Sequence, residues 1–410
     1  MEVVVEVGAG LDVHNKTIVA CCLDGRSNPP KTIRCTFGTF RDELERLREW
    51  LVKHECTHVA MESTGVYWMP VYRVLEGSLQ IVLGNARHMA NVPGRKTDKL
   101  DAEWIAKLLR HGLIQPNFVP PRVIRDLRMA TRYRRKLLQT RTASQLRVEK
   151  LLQATNIKLS SVASALFGVS GRLMLSALAD GTTNPVRLAE MAKGTLRKKR
   201  VELVRAMRGS FDKDDARLLK VELKVIDDLQ TRLDELEQLI DQKVTPFKDT
   251  VDLLDTIPGI DRILAIDLLA EIGSDMTAWP THRHFAAWSG TCPGNRESAG
   301  VRRRARSREG NPYVKTVLIQ AAVCASRTVT SDLAIRYRRL ASRRGPKTAA
   351  VAIARHIAVA VHHMLTKKEP YTPPKSADPE VARQQRRNQL LRQLNKLGFE
   401  VTCEPMNHLI

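Results

Sequence analysis

At 410 residues, 43% of them hydrophobic, the chain is long enough for two or three folded domains, and nothing in its composition argues against packed cores. Its 67 Lys+Arg against 44 Asp+Glu leave a formal net charge of +23, which points to a polyanionic partner. A membrane surface is the weaker choice: no run of about 18 uninterrupted apolar residues occurs, and Glu2 and Glu6 stand where a signal peptide carries positive charge. The expected location is therefore cytoplasmic and the expected partner nucleic acid. Cys21, Cys22, Cys35, Cys56, Cys292, Cys324 and Cys403 lack the spacing of a disulfide framework. Only His54, Cys56 and His58 form a local metal-like group, at a helix-to-strand junction where their side chains need not converge.

The β-branched run Val3 to Val13 predicts a strand, the polar group His14-Asn15-Lys16 a turn, and Thr17 to Leu23 and Thr32 to Phe37 two further strands. Phe40, Leu44, Leu47 and Leu51 recur at helical spacing and predict a helix to Lys53, followed by a strand over His58 to Met61. A helix over Tyr67 to Leu75, a strand over Gln80 to Leu83 and a helix over Lys99 to Leu113 complete the series. Three antiparallel strands, then helix, strand, helix, strand, helix, is the element order of an α/β ribonuclease-H-like fold, expected over residues 1–120.

From Arg122 to Lys150 ten Arg/Lys face two acids, Asp126 and Glu149, in a stretch of helical character. Leu219, Leu223, Ile226, Leu229, Leu233, Leu236 and Ile240 recur every three or four residues within Asp212 to Lys243, the pattern of a coiled-coil seam or of an amphipathic helix packed on its own chain. Residues 121–248 are thus expected to be a basic helical and coiled-coil region, within which Gly168 to Gly194 gives no clear reading. Leu253 to Gly273 predicts two helices around Pro258-Gly259, similar to a helix-hairpin-helix that offers backbone N–H groups to phosphate. After FAAWSG (Phe285 to Gly290), Thr291 to Gly310 predicts a loop, and its Arg296, Arg302, Arg303, Arg304, Arg306 and Arg308 suit DNA-backbone contact. Helices are expected over Pro312 to Ser326 and Lys347 to Leu365, with Val351 to Val361 buried. Arg336, Arg338, Arg339, Arg343 and Arg344 extend the positive surface between them. The mainly α C-terminal domain spans 249–366, and 367–410 is a basic tail.

Four acids stand where such a fold converges. Asp12 lies near the end of the first strand, Glu62 just after the fourth, and Asp98 and Asp101, three apart and hence on one helix face, at the start of the last helix. Carboxylates brought so close repel one another, which makes a divalent cation such as Mg²⁺ their natural common partner, suited to phosphoryl transfer. For Asp98 and Asp101 alone a helix cap and a dipole partner are the simpler reading. Asp12, flanked by apolar Leu11 and Val13, fits that reading poorly. Ser298, within Glu297-Ser298-Ala299-Gly300, reads by spacing alone as a turn former.

Asp12, Glu62, Asp98 and Asp101, together with IPGIDRILAIDLLAEIG, FAAWSGTCPGNRESAG and GNPYVKTVLIQAA, resemble the DEDD transposases of insertion sequences, the family described as bridge-RNA-guided recombinases. The resemblance spans about residues 1–365 and implies a RuvC-like N-terminal domain whose four acids bind Mg²⁺. It also implies that Ser298 is a nucleophile forming a covalent 5′-phosphoserine with DNA. Double-stranded donor and target DNA, a structured noncoding guide RNA and tetramers joined through a coiled coil follow from it as expected partners. Asp261 stands where the family carries glycine, at odds with phosphate binding by that turn. Two alternatives stay open: a RuvC-like metal-dependent DNA nuclease without a covalent intermediate, and a non-enzymatic nucleic-acid scaffold.

Overall fold

The computed structural model describes residues 3–85, 89, 101–294, 297–298, 301–302, 307–328 and 331–373, with 387, 391, 394 and 395. The chain divides into two compact units, Met1–Pro120 and Pro121–Ile410.

In the first unit β1 (Val7–Val13), β2 (Thr17–Asp24) and β3 (Lys31–Gly38) form an antiparallel meander. After α1 (Arg41–Lys53), β4 (His58–Glu62) joins β1 in parallel. After α2 (Trp68–Leu75), β5 (Gln80–Gly84) joins β4, also in parallel. The sheet order is β3-β2-β1-β4-β5. This mixed five-stranded sheet with flanking helices is compatible with the expected ribonuclease-H-like fold. Leu44, Leu47 and Leu51 of α1 and Val71 and Leu75 of α2 are buried in one core with Ala9, Leu11, Val59 and Met61. The opposite face is covered by α3 (Asp101–Arg110), whose Ile105, Leu108 and Leu109 pack with Ala60 and Val5. The strand expected from Val3 starts only at Val7, because the Val4 and Val5 N–H groups donate instead to the Arg110 carbonyl at the end of α3 (2.9 and 3.2 Å).

The second unit is built on two long helices, α4 (Arg122–Ala154) and α9 (Lys213–Val244). They run antiparallel, since Arg134 pairs with Glu237 (3.0 Å), Leu137 packs with Leu229 and Leu233, and Arg147 pairs with Glu222 (3.3 Å). The seam expected to join copies of the chain is therefore filled from within: Leu219, Leu223, Ile226, Leu229, Leu233 and Ile240 are buried against the chain's own helices. Its start is fixed by a capping box, Asp212 accepting from the Asp214 and Asp215 N–H groups.

Between these helices lie α5 (Leu159–Val162), α6 (Val169–Ala179), α7 (Pro185–Glu190) and α8 (Arg200–Ala206), of which α6 and α7 fall in the stretch Gly168 to Gly194 that has no clear reading from sequence. They share a core of Met174, Leu175, Leu178, Leu188 and Leu203 with Val148 and Leu152 of α4. Their individual stripes are too short to stand out, although Asn184-Pro185 is a legible helix start, the Asn184 side-chain Oδ1 accepting from Val186 N–H (2.9 Å).

The chain continues through α10 (Lys248–Asp255), α11 (Arg262–Ile272), α12 (His282–Trp288), the strand pair β6 (Glu297–Ser298) and β7 (Val301–Arg302), α13 (Pro312–Arg327), α14 (Asp332–Arg344) and α15 (Pro346–Lys367). α14 takes up the arginines placed between two expected helices. α15 is long and apolar enough, by length and composition, to cross a membrane. Ala350, Ile353, Ala354, Ile357, Ala358 and Val361 are nevertheless buried inside this unit, as a core helix requires.

Candidate functional site

Successive residues of a strand point to opposite faces, so Gly8, Gly10 and Asp12 of β1 share one face. α3 crosses that face in close contact: a Cβ added to Gly10 would lie 2.1 Å from the Ala102 carbonyl oxygen, and one added to Gly8 would lie 3.2 Å from Leu109. The helix thus passes its later turns over Gly8 and its first turn over Gly10. Asp12, one pleat farther along, lies at the end of the sheet where α3 begins with Asp101. The parallel register Leu11↔Met61 places Asp12 and Glu62 one step beyond, on strands about 4.8 Å apart. Glu62 is the last residue of β4 and pairs with Gly84 of β5. Strand register and helix packing therefore bring Asp12, Glu62 and Asp101 to one face and one end of the sheet. Asp98 lies outside the described residues.

The three carboxylates differ in their partners. Asp12 Oδ2 is 2.9 Å from His14 Nε2, and its side chain is 21% exposed. Glu62 Oε2 accepts a long hydrogen bond from Thr64 Oγ1 (3.4 Å). Asp101 Oδ1 is buried with no hydrogen-bond partner. A buried carboxylate oxygen without a donor costs free energy that a cation would relieve, so Asp101 fits a metal ligand. Among the described residues no three His, Cys, Asp or Glu side chains stand close enough together to hold a metal as they are. Glu103, two residues farther along α3 and so on another side of the helix, is engaged otherwise: Lys107 (2.7 Å) and Arg34 of β3 pair with it and hold its carboxyl below the usual range.

The zinc-like group does not assemble. Cys56 is buried with its sulfur 3.3 Å from that of Cys22, His58 bonds Thr57, and His54 packs on Trp50.

Ser298 stands in the short ribbon β6–β7, where Glu297 pairs with Arg302 and Ser298 with Val301. The expected loop is thus a two-stranded excursion. Its limbs are bridged again at Pro293↔Ser307, and the Arg308 N–H donates to the Cys292 carbonyl (3.0 Å). At its root Gly290 and Gly310 touch through their backbones: a Cβ on Gly310 would lie 2.3 Å from Gly290 N. Of the arginines expected to contact DNA, Arg308 is exposed and Arg302 belongs to β7; Arg296, Arg303, Arg304 and Arg306 lie outside the described residues.

The hairpin at Pro258-Gly259 has a different use from the one expected of it. Gly259 (φ +90°) lies against α13, where a Cβ would meet the Ala321 carbonyl oxygen at 2.4 Å. The N-terminus of α11 is capped by Asp261, whose carboxylate accepts from Leu264 N–H (2.9 Å). With that donor satisfied and a negative charge in place, phosphate binding at this turn is not supported.

Sequence reading placed His14 in a turn and gave it no part in the site; it follows β1 directly, and only the fold shows its ring beside Asp12. Sequence reading also missed the buried acids and arginines of the second unit, because nothing in the sequence marks a charge as buried.

Two family models match the chain: a DEDD-type transposase model of IS110 over residues 9–157 and the Transposase IS116/IS110/IS902 family over residues 251–338. Together they cover more than half of it, one over the acid-bearing sheet and α4, the other from α10 into α14. A search of curated proteins finds no match. The chain therefore belongs to the IS110 family of DEDD transposases, DNA-binding and DNA-processing enzymes.

Proposed function

We propose that the chain is the transposase of an insertion sequence that cuts and exchanges DNA strands through a covalent phosphoserine, guided by a structured RNA and acting as a tetramer. The observation that carries the catalytic reading is the buried, partnerless Asp101 oxygen at the sheet end it shares with Asp12 and Glu62. Asp12, Glu62, Asp98 and Asp101 would hold Mg²⁺, which when bound supplies charge neutralisation at the scissile phosphate. The DEDD-type family supports a divalent metal of some kind.

In the proposed step the Ser298 Oγ attacks phosphorus, a new Oγ–P bond forms and the bond to the 3′ oxygen breaks. The serine gives up its proton and the departing 3′ oxygen gains one. The ester conserves the phosphodiester, so attack by another strand's 3′ hydroxyl reseals it and frees the serine. His14, hydrogen-bonded to Asp12, orients that carboxylate. Arg296, Arg302, Arg303, Arg304, Arg306 and Arg308 flank the serine and would hold the DNA backbone. Sequence readout would belong to pairing with the guide RNA, so few base-reading side chains are needed.

A denaturing gel tests this reading. Protein should remain attached to cut DNA, and Ser298→Ala should abolish the adduct, while Asp12→Ala should abolish cleavage with salt-sensitive DNA binding largely kept. Cleavage that persists in Ser298→Ala without any adduct would favour a metal-dependent nuclease that uses water.

A further inference from the structure

We propose that Glu271 is a positioning residue for strand cleavage, fixing through Arg132 and Asn311 the root of the ribbon that carries Ser298; the inference rests on Ser298 being the nucleophile. Glu271 is 2% exposed, in the last turn of α11, among apolar Leu268, Leu269, Ala270 and Ile272. Arg132 of α4 grips both its oxygens, Nε to Oε1 at 2.7 Å and Nη2 to Oε2 at 2.9 Å. Arg128, one turn earlier, donates to the Ala270 and Glu271 carbonyls (3.0 and 2.7 Å).

Arg128 Nε also stands 3.5 Å from Glu271 Oε2, and Asn311 Nδ2 reaches the same oxygen at 3.0 Å. Asn311 also caps α13, its Oδ1 accepting from Tyr313 and Val314 N–H, and its own N–H donates to the Trp288 carbonyl (3.0 Å). That last bond joins the two ends of the ribbon just outside the Gly290–Gly310 contact. Arg132 in turn lies over the Tyr313 ring, 3.9 Å from its centre. One carboxylate therefore ties α4, α11, α13 and both limbs of the ribbon together.

Stability alone does not call for such an arrangement, because a buried ion pair is often replaceable by apolar side chains without loss. What an apolar residue cannot supply is direction. With the carboxylate held by a fork from Arg132 and by Arg128, the one bond it accepts from Asn311 fixes the rotation of Asn311, and with it the angle at which the ribbon leaves the domain.

The test uses the full chain with Glu271→Gln and with Asn311→Ser; the serine keeps a helix cap but loses the donor to Glu271. Covalent adduct on a denaturing gel is expected to fall tenfold or more in both, with DNA affinity within twofold of the parent. Amide hydrogen exchange is expected to rise over residues 289–310 and not in α11 or the body of α13. Unchanged adduct yield and exchange in Asn311→Ser, or exchange that rises equally in the helices, would overturn the proposal. Ser298→Ala separates the two readings: an adduct that survives in it removes the nucleophile, whereas the exchange pattern judges the Glu271 link by itself.

Discussion

Gly10 shows how narrowly the acid-bearing end is built. Its missing side chain lets the first turn of α3 rest directly on β1, so Gly10→Ala must push Ala102 and Ala106 away. We expect a loss of about 1–3 kcal/mol, seen as a lower midpoint in denaturant, because overpacking a close contact costs that much. Cleavage should fall further than stability explains, since the displaced helix carries Asp101. The acids themselves were partly legible. Asp12 stood out because a carboxylate between Leu11 and Val13 is out of place in a strand, and Glu62 followed from element order. Burial of one Asp101 oxygen could not be read, because it depends on packing between residues distant in the chain.

Among the elements, α4 and α9 carry the sharpest test. Arg134 is buried, its side chain 3% exposed, between Glu237 and Asp267 (3.0 and 2.7 Å). Arg134→Met should cost about 3–5 kcal/mol at neutral pH, as expected when one partner of a buried pair is removed. Burial already raises the Asp267 carboxyl above its usual range, with Arg134 opposing that rise. A carboxyl raised in the folded state holds its proton there at a pH where the unfolded chain has lost it. Its effect on stability is therefore most favourable in acid and declines as pH rises through that window. The variant should accordingly recover part of its deficit in thermal melts as the pH is lowered from neutrality toward the ordinary carboxyl range; a deficit that widens would contradict the assignment. The seam of α9 was legible from its spacing, but the partner was not: seven apolar positions fit a second copy and the chain's own α4 equally well. The short helices α5 to α8 escaped because each buries only a few residues, and their shared core exists only once they are together.

For the molecule as a whole, charge and family agree. A net +23 predicts DNA binding that weakens steeply with salt. Arg339 and Arg344 of α14 are exposed, and replacing both with alanine should lower the slope of log K against log salt by about 1.8 if both meet phosphate. An unchanged slope would place the DNA elsewhere on the surface.

Between Arg132, at the ribbon root, and Leu152, in the core of the short helices, α4 runs for about 30 Å. With α9 beside it, this stretch acts as a stiff spacer, holding one helical cluster a fixed distance from the ribbon. Removing two turns from each helix in step would bring that cluster nearer and leave both end cores closed. Shortening only one would misalign every rung between them. The length of the spacer and the build of the ribbon root are thus set by different parts of the same unit, and either could change in evolution without disturbing the other.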